Sequence, residues 1–257
     1  MSLSVLGVSG PNLPSVDIPA VGGVVFLFPF AEWEPAHDEL TAALSAEETA
    51  RADAKRFAED RMRRRLSSGL TRMVLARVLG CGPGNVDIVR TDKGKPFVPG
   101  ATFHFSVSHS RALHAVGLAR CPVGIDAEPL HSLADSLADS LALAELFLRE
   151  DELEEVRRLP EEDRDQLVLR LWTEREAYLK MTGRGIDDDL QNVMRTEEVT
   201  GTCTMMRGRN DLGSGGECGV HYLGVHMNHH LSFASPFPVA SAQACMEITR
   251  GPELGLL

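Results

Sequence analysis

The sequence predicts an α+β fold made of two related halves, and three observations carry that expectation. Helical and strand-like patterns come in two similar rounds, each pairing helical stretches with a set of short strands. The strands alternate apolar and polar residues as half-buried strands do, most plainly across Phe103–Ser108. With 257 residues, 43% of them apolar and 25% charged, the chain can bury the core of one large or two modest globular domains.

The elements are expected as follows. Residues 1–20, rich in Ser, Pro and Gly, read as a flexible N-terminal arm. Gly23–Phe28 reads as a buried strand. Ser45 with Glu48 three residues on forms a capping-box pattern, so a helix starts there. A long charged helical stretch follows, then a second helix through Leu66, Leu70, Met73, Val74 and Val78 that stops near Gly80–Gly84. Short strands are expected at Val86–Arg90, Phe103–Ser108, Ala115–Ala119 and Val123–Asp126. Helices return over Leu141–Leu159 and Glu161–Met181. Strands resume near Val193 and over Cys203–Arg207, Val220–Val225 and Leu231–Ala234, with a polar, glycine-rich loop at Gly208–Gly216.

Composition narrows the function classes. A net charge of −11 opposes a general nucleic-acid binder. No apolar run is long enough to span a membrane, and the start lacks a secretory pattern, so a cytoplasmic protein without a membrane partner is expected. The five cysteines are scattered with no C-x-x-C pair, which favours reduced thiols over a zinc site. His221, His226, His229 and His230 read as a hairpin with its turn near Asn228–His230 rather than as a separate metal site.

Five segments bear chemistry. In Val123–Glu128, Asp126 and Glu128 fall on one face of a strand, about 6–7 Å apart. Such a pair is either a solvated strand end or a seat for a hard cation, for which oxygen ligands favour Mg²⁺. Trp172, Glu176 and Lys180 share one helix face, so they offer a third carboxylate and a lysine one turn on, or else a simple surface pair beside a core Trp. Phe103–Ser110 ends a half-buried strand in Ser108-His109-Ser110, groups that suit a phosphate; the nucleophile elbow of serine hydrolases is absent. Lys93-Gly94-Lys95-Pro96 combines charge with close backbone approach but lacks the phosphate-loop spacing. Arg61–Arg65 is a solvated helical face from which a ligand needs only one or two arginines.

Taken in this order, the segments resemble the Sfp-type 4′-phosphopantetheinyl transferases. That family is marked by a Ser-His strand end, a G-[IV]-D-x-E strand and a W-x-x-[KR]-E-A-x-x-K helix. Here they read Ser108-His109, Gly124-Ile125-Asp126-Ala127-Glu128 and Trp172 through Lys180. The resemblance runs from about Leu44 to Ile186 and is strongest between Lys93 and Lys180.

The resemblance implies a pseudo-dimer of two α/β halves, residues 21–121 and 122–257, with the active site in the cleft between them. It implies Mg²⁺ held by Asp126, Glu128 and Glu176, and catalysis by Glu176, Lys180 and Asp126, with Glu176 the candidate base. Coenzyme A, the substrate, would be held by Arg63 (Arg64 second), Lys93, Gly94, Lys95, Pro96, Ser108, His109 and Lys180. Arg175 stands where many members carry lysine, and an arginine cannot act as a base at neutral pH. The implied reaction moves the phosphopantetheine arm onto a serine of an apo acyl or peptidyl carrier protein and releases 3′,5′-ADP, with polyketide or nonribosomal-peptide synthases as the setting. The alternative is an inactive module that binds coenzyme A or carrier protein. An acidic carrier would dock on local basic residues, for which Arg149, Arg157, Arg158 and Arg184 are candidates, and the chain would work as a monomer.

Overall fold

Along the strands, apolar side chains point to both faces, and two stacked sheets with a helical layer on each outer side bury them. The computed structural model describes residues 2–9, 17–20, 22–130, 140–185, 190–200, 202–208, 217–236 and 245–250. The N-terminal portion contains β1 (Ser2–Ser9), β2 (Gly22–Pro29), α1 (Phe30–Trp33), α2 (His37–Ala42), α3 (Ala46–Asp53) and α4 (Ala58–Leu79). It continues with β3 (Val89–Arg90), β4 (Pro96–Phe97), β5 (His104–His109) and β6 (Leu113–Ala119). Then follow β7 (Gly124–Pro129), α5 (Ser140–Phe147), α6 (Glu150–Arg157) and α7 (Glu161–Thr182). The chain proceeds through β8 (Val193–Thr200), β9 (Cys203–Gly208), β10 (Cys218–His226), β11 (His229–Ser235) and β12 (Cys245–Arg250).

One sheet has the order β12-β1-β2-β6-β5 and the other β7-β11-β10-β9-β8, while β3 and β4 form a small ribbon. In the first sheet, β1 runs parallel to both β2 and β12; the second is antiparallel throughout. Phe26, Phe28, Val116, Leu118 and Phe105 face α4, where Leu66, Leu70 and Val74 meet them. Val25, Leu27, Ala115, Ile125, Leu231 and Phe233 fill the space between the sheets. Glycine lets the sheets come close: a Cβ at Gly23 would sit 2.6 Å from the Phe233 ring. On the far side, α7 covers the second sheet, and α5 and α6 pack on α7.

The structure corrects several expectations. Ser2–Ser9 is no loose arm but β1, bonded between β2 and β12. Its three serines and one glycine among four apolar residues give no regular alternation that marks a strand. Residues 10–16 lie outside the described residues, as does nearly all of the expected 208–216 loop. The charged stretch before Leu66 and the helix after it are largely one 22-residue helix, α4, closed by Gly80 in the left-handed conformation. The expected 141–159 helix is two, because Arg149 is extended and Glu152 folds back onto its N–H at 3.2 Å. The expected 86–90 strand shrinks to Val89–Arg90, since Val86 turns into the core after a tight helical turn at Pro83–Asn85. The capping box at Ser45 and Glu48 forms as expected, with bonds of 2.9 and 3.2 Å.

Candidate active site

The site forms where β5, the edge of one sheet, meets β7, the edge of the other, beneath α7. Glycine at position 124 makes the meeting possible, because a Cβ there would lie 1.8 Å from the Ala177 carbonyl oxygen. With β7 pressed onto α7 at this point, alternation sends Ile125 and Ala127 into the core between the sheets and leaves Asp126 and Glu128 facing the helix. Glu176 and Lys180, one turn apart on α7, come to the same place.

There Lys180 Nζ donates to Asp126 Oδ1 at 2.6 Å and to Ser108 Oγ at 3.1 Å, and Ser108 Oγ donates to the same Asp126 oxygen at 2.8 Å. Burial, then the neighbouring Asp126, pushes Glu128 up to about 7; Glu176 also repels its charge, while Lys180 and a hydrogen bond from Trp172 pull the other way. Glu176 rises to about 7 for the same leading reasons, with Lys180 opposing. Asp126 Oδ2 and Glu176 Oε1 are buried without a hydrogen-bond partner.

Among the described residues, no three acidic, His or Cys side chains form a closed metal shell. The Lys180 ammonium bonds Asp126 there, and its charge also acts on Glu128 and Glu176. The donor set still fits a hard dication: three carboxyl groups on two adjacent elements, two with buried oxygens lacking partners, and two held against ionisation by burial and mutual repulsion.

Serine hydroxyls stitch the seam between the sheets. The amide of Ile125 donates to Ser106 Oγ at 3.1 Å and that of Ala127 to Ser108 Oγ at 3.3 Å. These are edge N–H groups of β7 that would otherwise be buried unpaired. Residue 109 turns to the other side of β5. His109 Nε2 lies 3.3 Å from Arg64 Nη1 on α4. Burial lowers the His109 pKa, and the cationic Arg64, Lys180 and Lys55 lower it further against one backbone hydrogen bond. Lys55, Arg63, Arg64, His109, Ser110 and Arg111, with the acid Asp60 among them, line a cavity of about 240 Å³ here.

The Lys93–Pro96 turn closes the other side. Lys93, Gly94, Lys95 and Pro96 line a cavity of about 400 Å³ together with Glu176 and Lys180. Lys95 Nζ donates to the carbonyls of Met181 at 2.6 Å and Val123 at 3.2 Å, tying this turn to the C-terminal half. Burial brings its pKa down to about 8.

The structure thus sets Glu176, Lys180 and the Lys93–Pro96 turn around one opening, with Asp126 and Ser108 bonded to Lys180 behind it, Glu128 beside these acids, and His109 at the end of the same strand as Ser108. Of the two arginines weighed on α4, Arg64 touches His109, whereas Arg63 is bound to Glu59 and Asp60 at 2.9 and 3.3 Å. Arg175 stands away from the acids: it is fully buried, donates to both Glu152 oxygens at 2.7 and 2.6 Å, and lies over the Phe147 ring. Arg149, Arg157 and Arg158 are paired with Asp151, with Glu150 and Glu145, and with Glu154, so acids close by offset their charge. The histidines lie on the expected hairpin, whose turn is Met227–Asn228. Sequence reasoning missed Ser106 and Arg90, both of which line the 400 Å³ cavity, and the bond from Trp172 to Glu128. The alternate serines at 106, 108 and 110 were a legible sign of the first.

Comparison with known proteins agrees with this geometry. Residues 122–234 match the model of the 4′-phosphopantetheinyl transferase superfamily, and residues 31–120 match that of the 4′-phosphopantetheinyl transferase N-terminal region. The chain is 36% identical over 182 residues to the 4′-phosphopantetheinyl transferase HetI of Nostoc sp., an alignment covering 68% of this chain and 75% of that protein. It is 29% identical over 169 residues to the 4′-phosphopantetheinyl transferase psf-1 of Bacillus pumilus, covering 65% and 70% of the two chains. A 4′-phosphopantetheinyl transferase of Bacillus subtilis is 26% identical over 152 residues, covering 58% and 64%. Two matching family models, a relative sharing more than a third of the aligned residues, and the motif residues meeting at one opening lead to one conclusion: the chain belongs to the 4′-phosphopantetheinyl transferase superfamily.

Proposed function

We propose that this transferase moves the 4′-phosphopantetheine arm of coenzyme A onto a serine of an apo acyl or peptidyl carrier protein and releases 3′,5′-ADP. The carboxyl cluster carries the proposal: Glu176 and Lys180 line the 400 Å³ cavity, and Asp126 and Glu128 lie behind them, close enough to Lys180 to feel its charge. Asp126, Glu128 and Glu176 would hold Mg²⁺, which when bound neutralises pyrophosphate charge. Lys180 offsets charge on the departing phosphate, and Ser108 fixes the direction in which Asp126 points. Glu176 takes the proton of the attacking carrier serine through a water, a contribution of about 10²–10⁴-fold for a well-placed base. His109 with Arg64, and Arg63 beside them, receives the nucleotide phosphates, while Lys93 and the Gly94–Pro96 turn flank the nucleotide. Positioning and charge neutralisation account for most of such a transfer.

The cleft would lie between two related halves that meet near residues 121–122. Supporting this, each sheet has five strands and each carries one 22-residue helix on its outer face. The targets would be the carriers of polyketide or nonribosomal-peptide synthases, with the chain acting as a cytoplasmic monomer. Among the described residues no helix is long and apolar enough to cross a membrane. Intact-mass measurement of apo carrier incubated with the protein, coenzyme A and Mg²⁺ tests the reading. A gain of one phosphopantetheine arm, abolished by EDTA, is expected. No gain on fatty-acid, polyketide and peptidyl carriers alike would overturn it.

A further inference from the structure

The seam between the sheets has a third rung with different chemistry. Ser106, Ser108 and Ser110 fall at alternate positions, and the first two accept the amides of Ile125 and Ala127. The next amide in that series would belong to residue 129, which is proline and has no N–H. Ser110 bonds instead to His229, the residue paired with Pro129 across β11, with Oγ 2.8 Å from Nε2.

The direction of this bond follows from its neighbours. His229 Nδ1 lies 2.7 Å from the Met227 carbonyl, which can only accept, so Nδ1 carries the proton and Nε2 of the neutral ring accepts. Ser110 therefore donates to His229, while its oxygen accepts the amides of Ala112 and Leu113, each at 3.1 Å. An oxygen with both lone pairs engaged is no nucleophile, so this is not a hydrolytic Ser–His pair. Every polar side-chain atom of the pair is thus partnered, Ser110 Oγ three times. His229 is 3% exposed, and burial lowers its pKa, which suits the neutral form.

We propose that His229 and Ser110 form a latch holding the turn that carries His109 against the second sheet, and that His229 is a positioning residue for the anionic end of the substrate. The proposal rests on the coenzyme A reading above. Ser110 is next to His109 and lines the same 240 Å³ cavity with Arg63, Arg64 and Arg111. Neither latch residue reaches the carboxyl cluster, so its loss acts on binding rather than on the chemical step.

The test measures kcat and KM for coenzyme A, and its Kd by calorimetry, for His229→Ala, Ser110→Ala, the double variant and His229→Gln. Each alanine variant should raise KM and Kd for coenzyme A by roughly 10-fold, the scale of an outer positioning group. The kcat should stay within about twofold, and the double variant should be no worse than either single, because both remove one interaction. Glutamine, which can accept from Ser110 and donate to Met227, should recover most of the loss. Unchanged KM and Kd in both single variants would overturn the proposal, as would additive losses. If His229→Ala fails to fold, unchanged KM and Kd in Ser110→Ala overturn the proposal, as does a loss in His229→Gln as large as that in Ser110→Ala. Wild-type protein that neither binds nor turns over coenzyme A would strike the coenzyme A reading itself. Amide exchange at residues 110–113 would then decide the latch, with wild-type protection in His229→Ala refuting it.

Discussion

At Asp126 a single carboxylate oxygen receives both an ammonium and a hydroxyl, and the other oxygen has no partner. Removing this carboxylate takes away the hub of the cluster, so Asp126→Ala should lower kcat by at least ~10²-fold. Lys95→Ala, which removes one side chain from the cavity wall, should cost less; the reverse order in steady-state assays would refute the assignment. The raised carboxyls make a second prediction at this scale. An acid whose folded pKa lies above its unfolded value contributes most stability below the unfolded value, near 4.5, and loses it as pH rises through about 7. Buried neutral histidines such as His114, held down to about 3, act with the opposite sign, so wild type must be compared with Glu128→Gln. In EDTA the variant should gain melting temperature over wild type at pH 8 but not at pH 5. Mg²⁺ at pH 8 should raise the wild-type midpoint more than that of the variant.

Among the elements, α7 bears the most, because one face packs on β7 and another receives α6. Gly124→Ala would drive a methyl into the Ala177 carbonyl, backbone against backbone. A loss at or above the ~1–3 kcal/mol usual for overpacking is expected in urea titration. Arg175 and Glu152 join α7 to α6 as a buried pair, so Arg175→Ala should cost roughly 3–5 kcal/mol by leaving Glu152 buried and uncompensated. Arg175→Lys should restore only part, since an ammonium can meet Glu152 but lacks the second nitrogen that donates to the Leu171 carbonyl and the flat group over the Phe147 ring. Of the two long helices, α7 was legible within a residue or so and α4 at its glycine stop, whereas the charged first half of α4 reads in sequence as a separate stretch. The break between α5 and α6 was not, because Arg149 is an ordinary helix former that only the fold-back of Glu152 turns into a boundary.

For the molecule as a whole, the core between the sheets is shared, with Val25 and Leu27 on one side and Ile125 and Phe233 on the other. The two portions should therefore unfold together. Trp33 sits in the core under α4, and Trp172 packs against Phe147 in the other half, so each tryptophan reports on one side. Fluorescence of Trp33→Phe and Trp172→Phe should, after allowing for each variant's own stability, track circular dichroism through a single transition; two separated midpoints within one variant would contradict this. The site was more legible than the sheet that supports it. Its residues lie in short motifs whose spacing maps directly onto strand and helix periods. By contrast, β1 and its parallel pairing depend on partners more than a dozen residues away, and no local pattern announces them.

The serine seam bears on how the chain avoids misfolding. Successive side chains of β5 alternate, so a slip of one residue against β6 would turn Phe105 and Val107 toward β7 and the three hydroxyls toward α4. The amides of Ile125 and Ala127 would lose their acceptors, and aromatic and aliphatic groups would leave the core for a polar boundary. A first sheet slipped by one residue cannot close onto the second, so docking of the two sheets proofreads the pairing that precedes it.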